Sequence, residues 1–440
     1  MSVWNIACYV LTRHLGDGAR LDHALEDVPS QTSRVDRRRC RHLAYGVVRH
    51  LGLLDACVTA HLPRPPRPVL RAALLIGGFE ILEDPAQAPA IIHHAVDRAR
   101  EVASPAEARV VNAVLRKAVQ SLAAATADEP AAGDVAAMAL RYSHPRWLVE
   151  RWLAAFGEGP TRQLLAWDQR AAPVHARDVT RGERRAASPG QSGAVDARAD
   201  MGLPASFVPT EWPGFFVLEK PDWAEVERLL VAGRIYLQDP ATALAPDLLA
   251  VKTGETVLDV CAAPGGKTLQ LAEAAGATGR VVAVDLAGLR LERLRENLRR
   301  YRDLRGRVSV VACDGRELSA TILAAERQPR DYDAVLLDAP CSNTGVLRHR
   351  VDAKWRLGPA DLQALPELQL ALLHRAAAVV RAGGRLVYST CSLEAEENAA
   401  VVQAFLASPE GVGFVLAESR ASRPWVDGRD GAAAFLLQRG

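Results

Sequence analysis

The chain has 440 residues, of which 49% are hydrophobic and 24% charged, a composition typical of a globular protein with two or three domains. No apolar run approaches the roughly 20 residues that a membrane-spanning helix needs, and the N-terminus lacks a basic leader and a small-residue cleavage site. We therefore expect a cytoplasmic protein without membrane contact. The net charge of +2 predicts no strong overall attraction to nucleic acid, so local basic clusters such as Arg34–Arg41 and Leu289–Arg307 matter more than the total.

Helical patterning extends from about residue 3 to residue 120. Apolar residues recur at three- and four-residue spacing in Arg37–Leu51 and Val69–Leu82, and prolines interrupt the pattern between them. The stripe in Ala106–Leu122 includes Arg116 and Lys117, charges that suit a helix C-terminus. The pattern predicts an all-helical domain over residues 1–125, followed by an Ala-rich linker at 123–134.

The middle segment, residues 139–240, is predicted to be a small α+β domain. It opens with a pre-proline turn at His144 that leads into an amphipathic helix. Within it, Arg181–Pro204 is rich in Gly, Ser, Ala and Arg and has no periodicity, which predicts a mobile loop.

Residues 241–440 show short apolar runs, most of them followed by a helical stretch. Such runs are typical of parallel strands buried on both faces, and the alternation predicts a doubly wound α/β domain. The end of the chain, Gly413–Ala417 and Ala432–Leu437, predicts an antiparallel hairpin. The predicted buried strands are Thr256–Val260, Arg280–Val284, Val308–Ala312, Tyr332–Leu337 and Arg385–Ser389.

A glycine-rich turn follows the first of these strands, at Asp259–Thr268. The paired Gly265 and Gly266 allow backbone amides to approach a ligand closely. A P-loop would require glycine where Cys261 stands, and the dinucleotide fingerprint G-x-G-x-x-G is absent. The sequence therefore argues against both ATP hydrolysis and NAD binding.

Acidic residues end the next two strands. Asp285 is placed to accept hydrogen bonds from ribose hydroxyls, and Asp314 to accept one from an adenine amino group. Each aspartate alone is more often a helix cap or a turn former. Acids at consecutive strand ends favour an adenosine-containing ligand instead.

The cysteines divide into two groups. All seven are widely spaced and form no CxxC pair, so we expect reduced thiols rather than disulfides, and no metal site. Cys341 and Cys391 end the fourth and fifth strands, at the carboxyl edge where such sheets bind ligands, which predicts covalent chemistry. A lone buried cysteine is usually an inert small hydrophobe. We assign this interpretation to four of the other five thiols, Cys8, Cys40, Cys57 and Cys313.

These motifs resemble those of the NOP/Sun-type RNA cytosine-C5 methyltransferases. The signatures D-x-C-A-A-P-G-G-K-T, D-A-P-C-S and S-T-C-S followed by E-E-N stand in order within residues 235–440. The helical N-terminal domain is similar to the RNA-binding bundle of the antiterminator NusB, and the fusion is similar to bacterial methyltransferases of small-subunit ribosomal RNA. The resemblance implies a class I (Rossmann-like) methyltransferase domain, S-adenosylmethionine as cofactor, RNA as partner and a monomeric enzyme.

The resemblance also implies roles for single residues. Carbon 5 of cytosine is too weak a nucleophile to attack the cofactor methyl group, so a thiolate, here Cys391, first adds to carbon 6. Cys341 removes the carbon 5 proton and allows release, and Asp338 contacts the Watson–Crick edge or the methionine amine. Lys267 either lowers the pKa of Cys391 or binds a carboxylate or base oxygen. The implied cofactor residues are Cys261, Ala262, Ala263, Pro264, Gly265, Gly266, Lys267, Asp285, Asp314 and Asp338.

The substrate is the remaining open question. Carbon 6 is hidden inside a helix, so the target cytosine must be unpaired or flipped out. Small-subunit (16S) ribosomal RNA is expected, because the resemblance links the N-terminal bundle to that RNA, and Lys354 and Trp355 are expected to shape the RNA channel. Two alternatives stay open: the same chemistry on transfer RNA or 23S ribosomal RNA, and a non-catalytic RNA-binding factor for ribosome assembly.

Overall fold

The computed structural model describes residues 2–179, 202–301, 304 and 306–440. Most of the predicted mobile loop, Arg181–Pro204, lies outside these residues. The chain forms two compact units: the first comprises Met1–Ala171 and Leu347–Leu357, and the second comprises Ala172–Val346 and Gly358–Gly440. The functional boundaries predicted at 125, 139 and 240 are not tested by this division and stay a prediction.

The first unit is helical, as the sequence predicts. Serine side chains cap the N-termini of three of its helices, where Ser2, Ser33 and Ser104 each accept a backbone N–H from the first turn. The α7 helix continues to Ala127, so the predicted linker at 123–134 is wrong in its first residues, where good helix formers extend the last turn. The helices are α1 (Val3–Asp17), α2 (Leu21–Glu26), α3 (Arg34–Arg49), α4 (Leu51–Thr59), α5 (Pro68–Glu83), α6 (Ala88–Val102), α7 (Pro105–Ala127), α8 (Val135–Arg141), α9 (Arg146–Phe156) and α10 (Glu158–Asp168).

The segment Leu347–Leu357, here called the inserted segment, packs within this helical unit. In the chain it comes after Tyr332–Asp338, a strand of the second unit. Lys354 Nζ donates to the carbonyl of Arg49 at 3.0 Å, and Trp355 Nε1 donates to that of Val48 at 2.8 Å. These carbonyls lie at the C-terminus of α3, where intrahelical donors are missing. The inserted segment therefore caps α3 and places a cation at the negative end of its dipole.

This packing corrects the prediction that Lys354 shapes an RNA channel. Lys354 is 1% exposed, and burial lowers the pKa of its ammonium to about 7. The indole N–H of Trp355 donates to the α3 backbone, but the side chain is only partly buried, so its place in an RNA channel stays a prediction.

A buried histidine–carboxyl pair lies in the same unit. His144 Nε2 and Asp168 Oδ2 are 3.3 Å apart, and both side chains are buried. Burial raises the pKa of Asp168 to about 8 and lowers the pKa of His144 well below its ordinary value. At neutral pH both groups are therefore mainly uncharged, which is the form that a low-dielectric interior favours.

The second unit opens with a small antiparallel sheet in the order β2-β3-β1-β4. Its core is apolar and aromatic, with Phe207, Phe216, Leu229 and Ile235 fully or almost fully buried. The arrangement agrees with the α+β pattern predicted for this stretch. The elements are β1 (His175–Asp178), β2 (Phe207–Pro209), β3 (Phe215–Leu218), α11 (Trp223–Val231) and β4 (Ile235–Leu237).

The larger sheet of this unit has the order β10-β11-β9-β8-β5-β6-β7. Neighbours from β9 to β7 pair in parallel, and β11 pairs antiparallel with both β9 and β10, so the predicted doubly wound sheet and antiparallel end are confirmed. A helical turn, Pro424–Asp427, lies in the connection between these two last strands. The strands are β5 (Thr256–Val260), β6 (Arg280–Asp285), β7 (Val308–Ala312), β8 (Tyr332–Asp338), β9 (Val380–Thr390), β10 (Phe414–Ser422) and β11 (Ala432–Arg439).

Apolar clusters cover both faces of the parallel strands. Leu258 and Val282 belong to one cluster, and their neighbours Val257 and Val281 belong to the other. Burial on both faces explains why these strands are almost continuously apolar. The remaining helices of the unit are α12 (Leu244–Leu249), α13 (Gly266–Ala275), α14 (Leu289–Arg300), α15 (Ala320–Ala325), α16 (Asp361–Ala378), α17 (Ala399–Leu406) and α18 (Pro424–Asp427). No helix among the described residues is both long and apolar enough to cross a membrane.

Candidate active site

The predicted cofactor loop joins the end of β5 to the start of α13. Cys261 adopts a left-handed conformation with φ of 63°, and the amide of Ala262 donates to the carbonyl of Val284 on β6 at 3.1 Å. Gly265 also has positive φ, at 105°, and its amide donates to the carbonyl of Ala262 at 2.8 Å. The loop thus forms a tight turn beside the carboxyl end of β6.

Side chains of α14 hold the carbonyl groups of this loop. Arg290 Nη2 donates to the carbonyl of Ala263 at 2.7 Å, and Asn297 Nδ2 donates to that of Pro264 at 2.9 Å. The peptide between Ala263 and Pro264 is cis. Because both carbonyls are bound from α14, the loop conformation is fixed before any ligand arrives.

Both glycines of the turn are required by their surroundings. A Cβ on Gly265 would lie 2.5 Å from Leu294 Cδ1, and one on Gly266 would lie 2.8 Å from Gln238 Nε2. Gly266 also begins α13, so its amide belongs to a helix N-terminus with no intrahelical acceptor. Such free amides and close backbone approach fit a ligand that carries a carboxylate and an adenosine.

Asp285 ends β6 and is 8% exposed. One carboxylate oxygen accepts the amide of Ala263 at 2.8 Å, and the other accepts the amide of Leu286 at 2.8 Å. A carboxylate has about four acceptor positions, so lone pairs remain for ribose hydroxyls. The ribose contact of Asp285 stays a prediction.

Asp314 pairs with an arginine two residues later in the sequence. Its two oxygens accept bonds from the Arg316 guanidinium at 2.6–3.1 Å. These bonds hold the pKa of Asp314 below its ordinary value. An adenine amino group would therefore share this carboxylate with an arginine that sequence reasoning did not consider.

Lys267 and Asp338 form an ion pair at the carboxyl edge of the sheet. Lys267 Nζ lies 2.7 Å from Asp338 Oδ2, with 20% and 33% of the two side chains exposed. Burial disfavours the ammonium, but the charge and hydrogen bond of Asp338 outweigh it and hold the pKa of Lys267 above its ordinary value. Ser389 Oγ donates to the other oxygen of Asp338 at 3.0 Å, so the carboxylate is fixed from two sides.

The two predicted catalytic cysteines lie side by side, with their sulfur atoms 3.2 Å apart. The hydrogen bond with Cys391, together with burial, raises the pKa of the Cys341 thiol well above its ordinary value. The raised pKa favours the thiol form of Cys341, whose sulfur faces that of Cys391. Asn343 donates to the carbonyl of Cys341 at 2.7 Å, and its Oδ1 lies 3.5 Å from the Cys391 sulfur.

The cysteines outside this pair have the properties of inert thiols. Cys8, Cys40 and Cys57 are buried, and burial raises the pKa of each, to about 12 for Cys8 and about 11 for Cys40. Cys313 is partly exposed, and burial again raises its pKa. Such thiols carry little thiolate at neutral pH, which agrees with the interpretation as inert small hydrophobes.

A cavity with about 360 Å³ of empty space opens beside the reactive groups. Cys391, Lys267 and Asp338 line one part of it, and the carboxylates of Asp239 and Asp430 line another. The sequence analysis missed both of these aspartates, since neither belongs to a recognised motif.

Sequence analysis also did not single out Asp259, whose side chain binds Thr268 within the glycine-rich motif. Its side chain is fully buried, Thr268 Oγ1 donates to Oδ2 at 2.6 Å, and Oδ1 has no hydrogen-bond partner among the described residues. Burial raises the pKa of Asp259 to about 7. Its place at the start of the motif was the available signal.

Comparison with known proteins decides the family. The model of the family described as 16S rRNA methyltransferase RsmB/F matches residues 246–422, and that of the NusB family matches residues 5–120. The Ribosomal RNA small subunit methyltransferase B of Pseudomonas putida is 33% identical over 411 residues, which cover 92% of this chain and 89% of that protein. The chain belongs to the 16S rRNA methyltransferase RsmB/F family.

Other similarities agree with this membership of the RsmB/F family. The protein of the same name from Vibrio cholerae is 32% identical over 92% of this chain and 89% of its own length. A methyltransferase homologue from Pyrococcus horikoshii superposes with a TM-score of 0.57 at 25% identity, covering 70% of this chain and all of that one. The RsmB/F-family chain is thus an S-adenosylmethionine-dependent RNA methyltransferase, and the predicted fold class, enzyme class and cofactor are confirmed.

Proposed function

We propose that this enzyme methylates carbon 5 of a cytosine in 16S ribosomal RNA through a transient bond between the Cys391 sulfur and carbon 6. The observation that carries the proposal is the pair of sulfur atoms 3.2 Å apart, with Cys391 in a pocket that the ion pair of Lys267 and Asp338 also lines. The similarity to relatives named for the small ribosomal subunit supports the choice of RNA. Transfer RNA and 23S ribosomal RNA stay as alternatives.

The residues divide the reaction between them. The Cys391 thiolate adds to carbon 6, which moves an electron pair toward carbon 5, while N3 of the ring takes up the proton that Cys341 held. S-adenosylmethionine supplies an electrophilic methyl group when bound. The Cys341 thiolate, a strong base because of its raised pKa, then removes the carbon 5 proton. The freed electron pair restores the double bond, the carbon–sulfur bond breaks toward Cys391, and N3 releases its proton to solvent.

Asp338 faces the Watson–Crick edge in this proposal and favours protonation at N3. Its position is supported by the ion pair with Lys267 and the bond from Ser389. Lys267 keeps that carboxylate oriented, and its other N–H donors are available to stabilise the Cys391 thiolate or a base oxygen. Asp338 also has the charge needed to bind the methionine amine.

The cofactor residues stay a proposal of the same kind. The loop from Cys261 to Lys267 supplies backbone amides, Asp285 binds the ribose, and Asp314 binds the adenine amino group beside Arg316. The support is the fixed loop, the required glycines and the remaining acceptor positions on Asp285. These groups fit the cofactor without a metal ion, and we propose that none takes part.

Two cysteine variants test the mechanism. Cys391→Ala should abolish both methyl transfer and any covalent RNA adduct, whereas Cys341→Ala should accumulate an adduct that is not released. Tritiated methyl transfer and denaturing gels of the enzyme–RNA mixture measure the two outcomes. The reverse behaviour of the two variants would show that the roles are assigned wrongly, and a wild-type enzyme without activity would favour the non-catalytic alternative.

The RNA substrate and the oligomeric state of the enzyme need separate measurements. Bisulfite mapping of ribosomal and transfer RNA from cells lacking the protein should show the loss of a methylated cytosine in 16S RNA; a loss only in transfer RNA or 23S RNA would change the substrate. We further propose a cytoplasmic monomer in which residues 1–125 bind RNA, residues 139–240 precede the catalytic part, and residues 241–440 transfer the methyl group. Light scattering of the purified enzyme tests the monomer.

A further inference from the structure

Glu397 is a fully buried acid that the proposed chemistry does not use. It ends the 3-10 turn Ala395–Glu397, in the E-E-N run that follows Cys391. One carboxylate oxygen accepts the backbone amide of Ser342 and Nε2 of Gln369, both at 2.9 Å. The other oxygen accepts short hydrogen bonds from the hydroxyls of Ser342 and Ser392. A buried carboxylate is thus satisfied by four donors rather than by a cation.

The donors identify what the carboxylate holds. Ser342 immediately follows Cys341, and Ser392 immediately follows Cys391, so one side chain binds both loops that carry the sulfur atoms. The two serine hydroxyls are also 3.0 Å from each other. A further bond joins the loops, from the amide of Gly345 to the carbonyl of Cys391 at 2.9 Å.

We propose that Glu397 is the positioning residue that sets the distance and orientation of the two sulfur atoms, through its hydrogen bonds to Ser342 and Ser392. The inference rests on the proposed function, since it presumes that both cysteines react with the RNA base. Hydrogen bonds to an ionised acceptor are shorter and stronger than neutral ones, which suits a group that must fix geometry. Misplacement of reacting atoms by about 1 Å can lower a rate roughly 100-fold.

The charge of Glu397 has a second effect on the pair. After the hydrogen bond with Cys391, burial and the Cys391 charge, the Glu397 carboxylate is a further cause that raises the pKa of the Cys341 thiol. It therefore helps to keep the proton on the Cys341 thiol. A purely structural side chain of the same shape would not have this effect.

The variant Glu397→Gln keeps the volume but turns one end of the carboxylate into a donor that faces other donors. We expect single-turnover methyl transfer to slow by roughly 10- to 100-fold. The KM for RNA and the Kd for S-adenosylmethionine should stay within about twofold of wild type, because neither ligand touches Glu397. The pH–rate profile should shift to lower pH, because loss of the charge lowers the pKa of the Cys341 thiol. Glu396→Gln, on the exposed neighbour in the same turn, is the matched control and should leave both rate and profile unchanged.

A second variant protects the test against misfolding. Ser392→Ala removes one of the donors and leaves the carboxylate three others, so the fold should persist while the rate falls, by about 10-fold. Folding is checked by thermal unfolding and cofactor binding. A wild-type rate in folded Glu397→Gln would overturn the inference. If Glu397→Gln does not fold, a wild-type rate in Ser392→Ala would overturn it. A loss of rate that is matched by a loss of cofactor binding would also overturn it. Absence of any adduct in Cys341→Ala would instead refute the proposed covalent chemistry, while methyl transfer rates still report on Glu397.

Discussion

The variant Asp285→Ala gives the sharpest test of the proposed cofactor site. The carboxylate accepts the amides of Ala263 and Leu286, and the same oxygens are proposed to bind the ribose hydroxyls. A hydrogen bond to a charged group contributes about 1.5–3 kcal/mol. Losing two such bonds to the ligand therefore weakens the binding free energy by at least about 3 kcal/mol, which corresponds to a rise in Kd of roughly 100-fold.

Isothermal titration of S-adenosylmethionine measures this change, and fluorescence anisotropy with labelled RNA should show unchanged RNA affinity. Asp333→Ala is the matched control, because Asp333 also accepts a backbone amide, that of Thr256 at 2.7 Å, but stands at the opposite end of the parallel strands. It should lower the unfolding temperature without changing the Kd for the cofactor. A Kd for the Asp285 variant within twofold of wild type would remove this residue from the site.

Two other predictions concern the loop and the helical unit. Gly265→Ala forces a side chain into a left-handed conformation with φ of 105° and places its Cβ 2.5 Å from Leu294 Cδ1, so it should weaken cofactor binding by about tenfold. Gly159→Ala, with nothing within 4 Å of its Cβ, should leave the Kd unchanged, and equal Kd values for the two variants would contradict the reason given for Gly265. Because the folded pKa of Asp168 is raised from 3.8 to about 8, the stability that its proton supplies is present below about pH 4 and is lost as the pH rises toward 8. Asp168→Asn should therefore gain stability relative to wild type between pH 5 and pH 7 in thermal unfolding, and a constant difference across that range would refute the assignment.

The parallel sheet could be predicted from the sequence because its strands are buried on both faces. Runs such as Val281–Val284 are continuously apolar, and the acids that follow them mark the carboxyl edge of the sheet. Asp285, Cys341 and Cys391 could be placed at that edge by strand order alone. The sulfur–sulfur distance depends on loop conformation, which local patterns do not determine.

Other features depend on side-chain contacts that the sequence pattern does not show. The carboxylate of Asp314 binds a guanidinium two residues away, but only the folded turn brings Arg316 onto both oxygens. Lys354 resembles an exposed channel residue by its charge, yet it is buried against the carbonyl of Arg49. No periodicity signals such a contact, because it joins segments about 300 residues apart.

The inserted segment affects how the chain reaches its final state during synthesis. Residues up to Ala171 leave the ribosome well before Leu357, and at about 5–20 residues per second the delay is roughly 10–40 s. Throughout that interval the carbonyls of Val48 and Arg49 have no indole or ammonium donor from Trp355 and Lys354. The N-terminal helices can therefore complete their packing only after translation has passed Leu357. A fragment that stops at Ala171 lacks the inserted segment that packs within its helical unit.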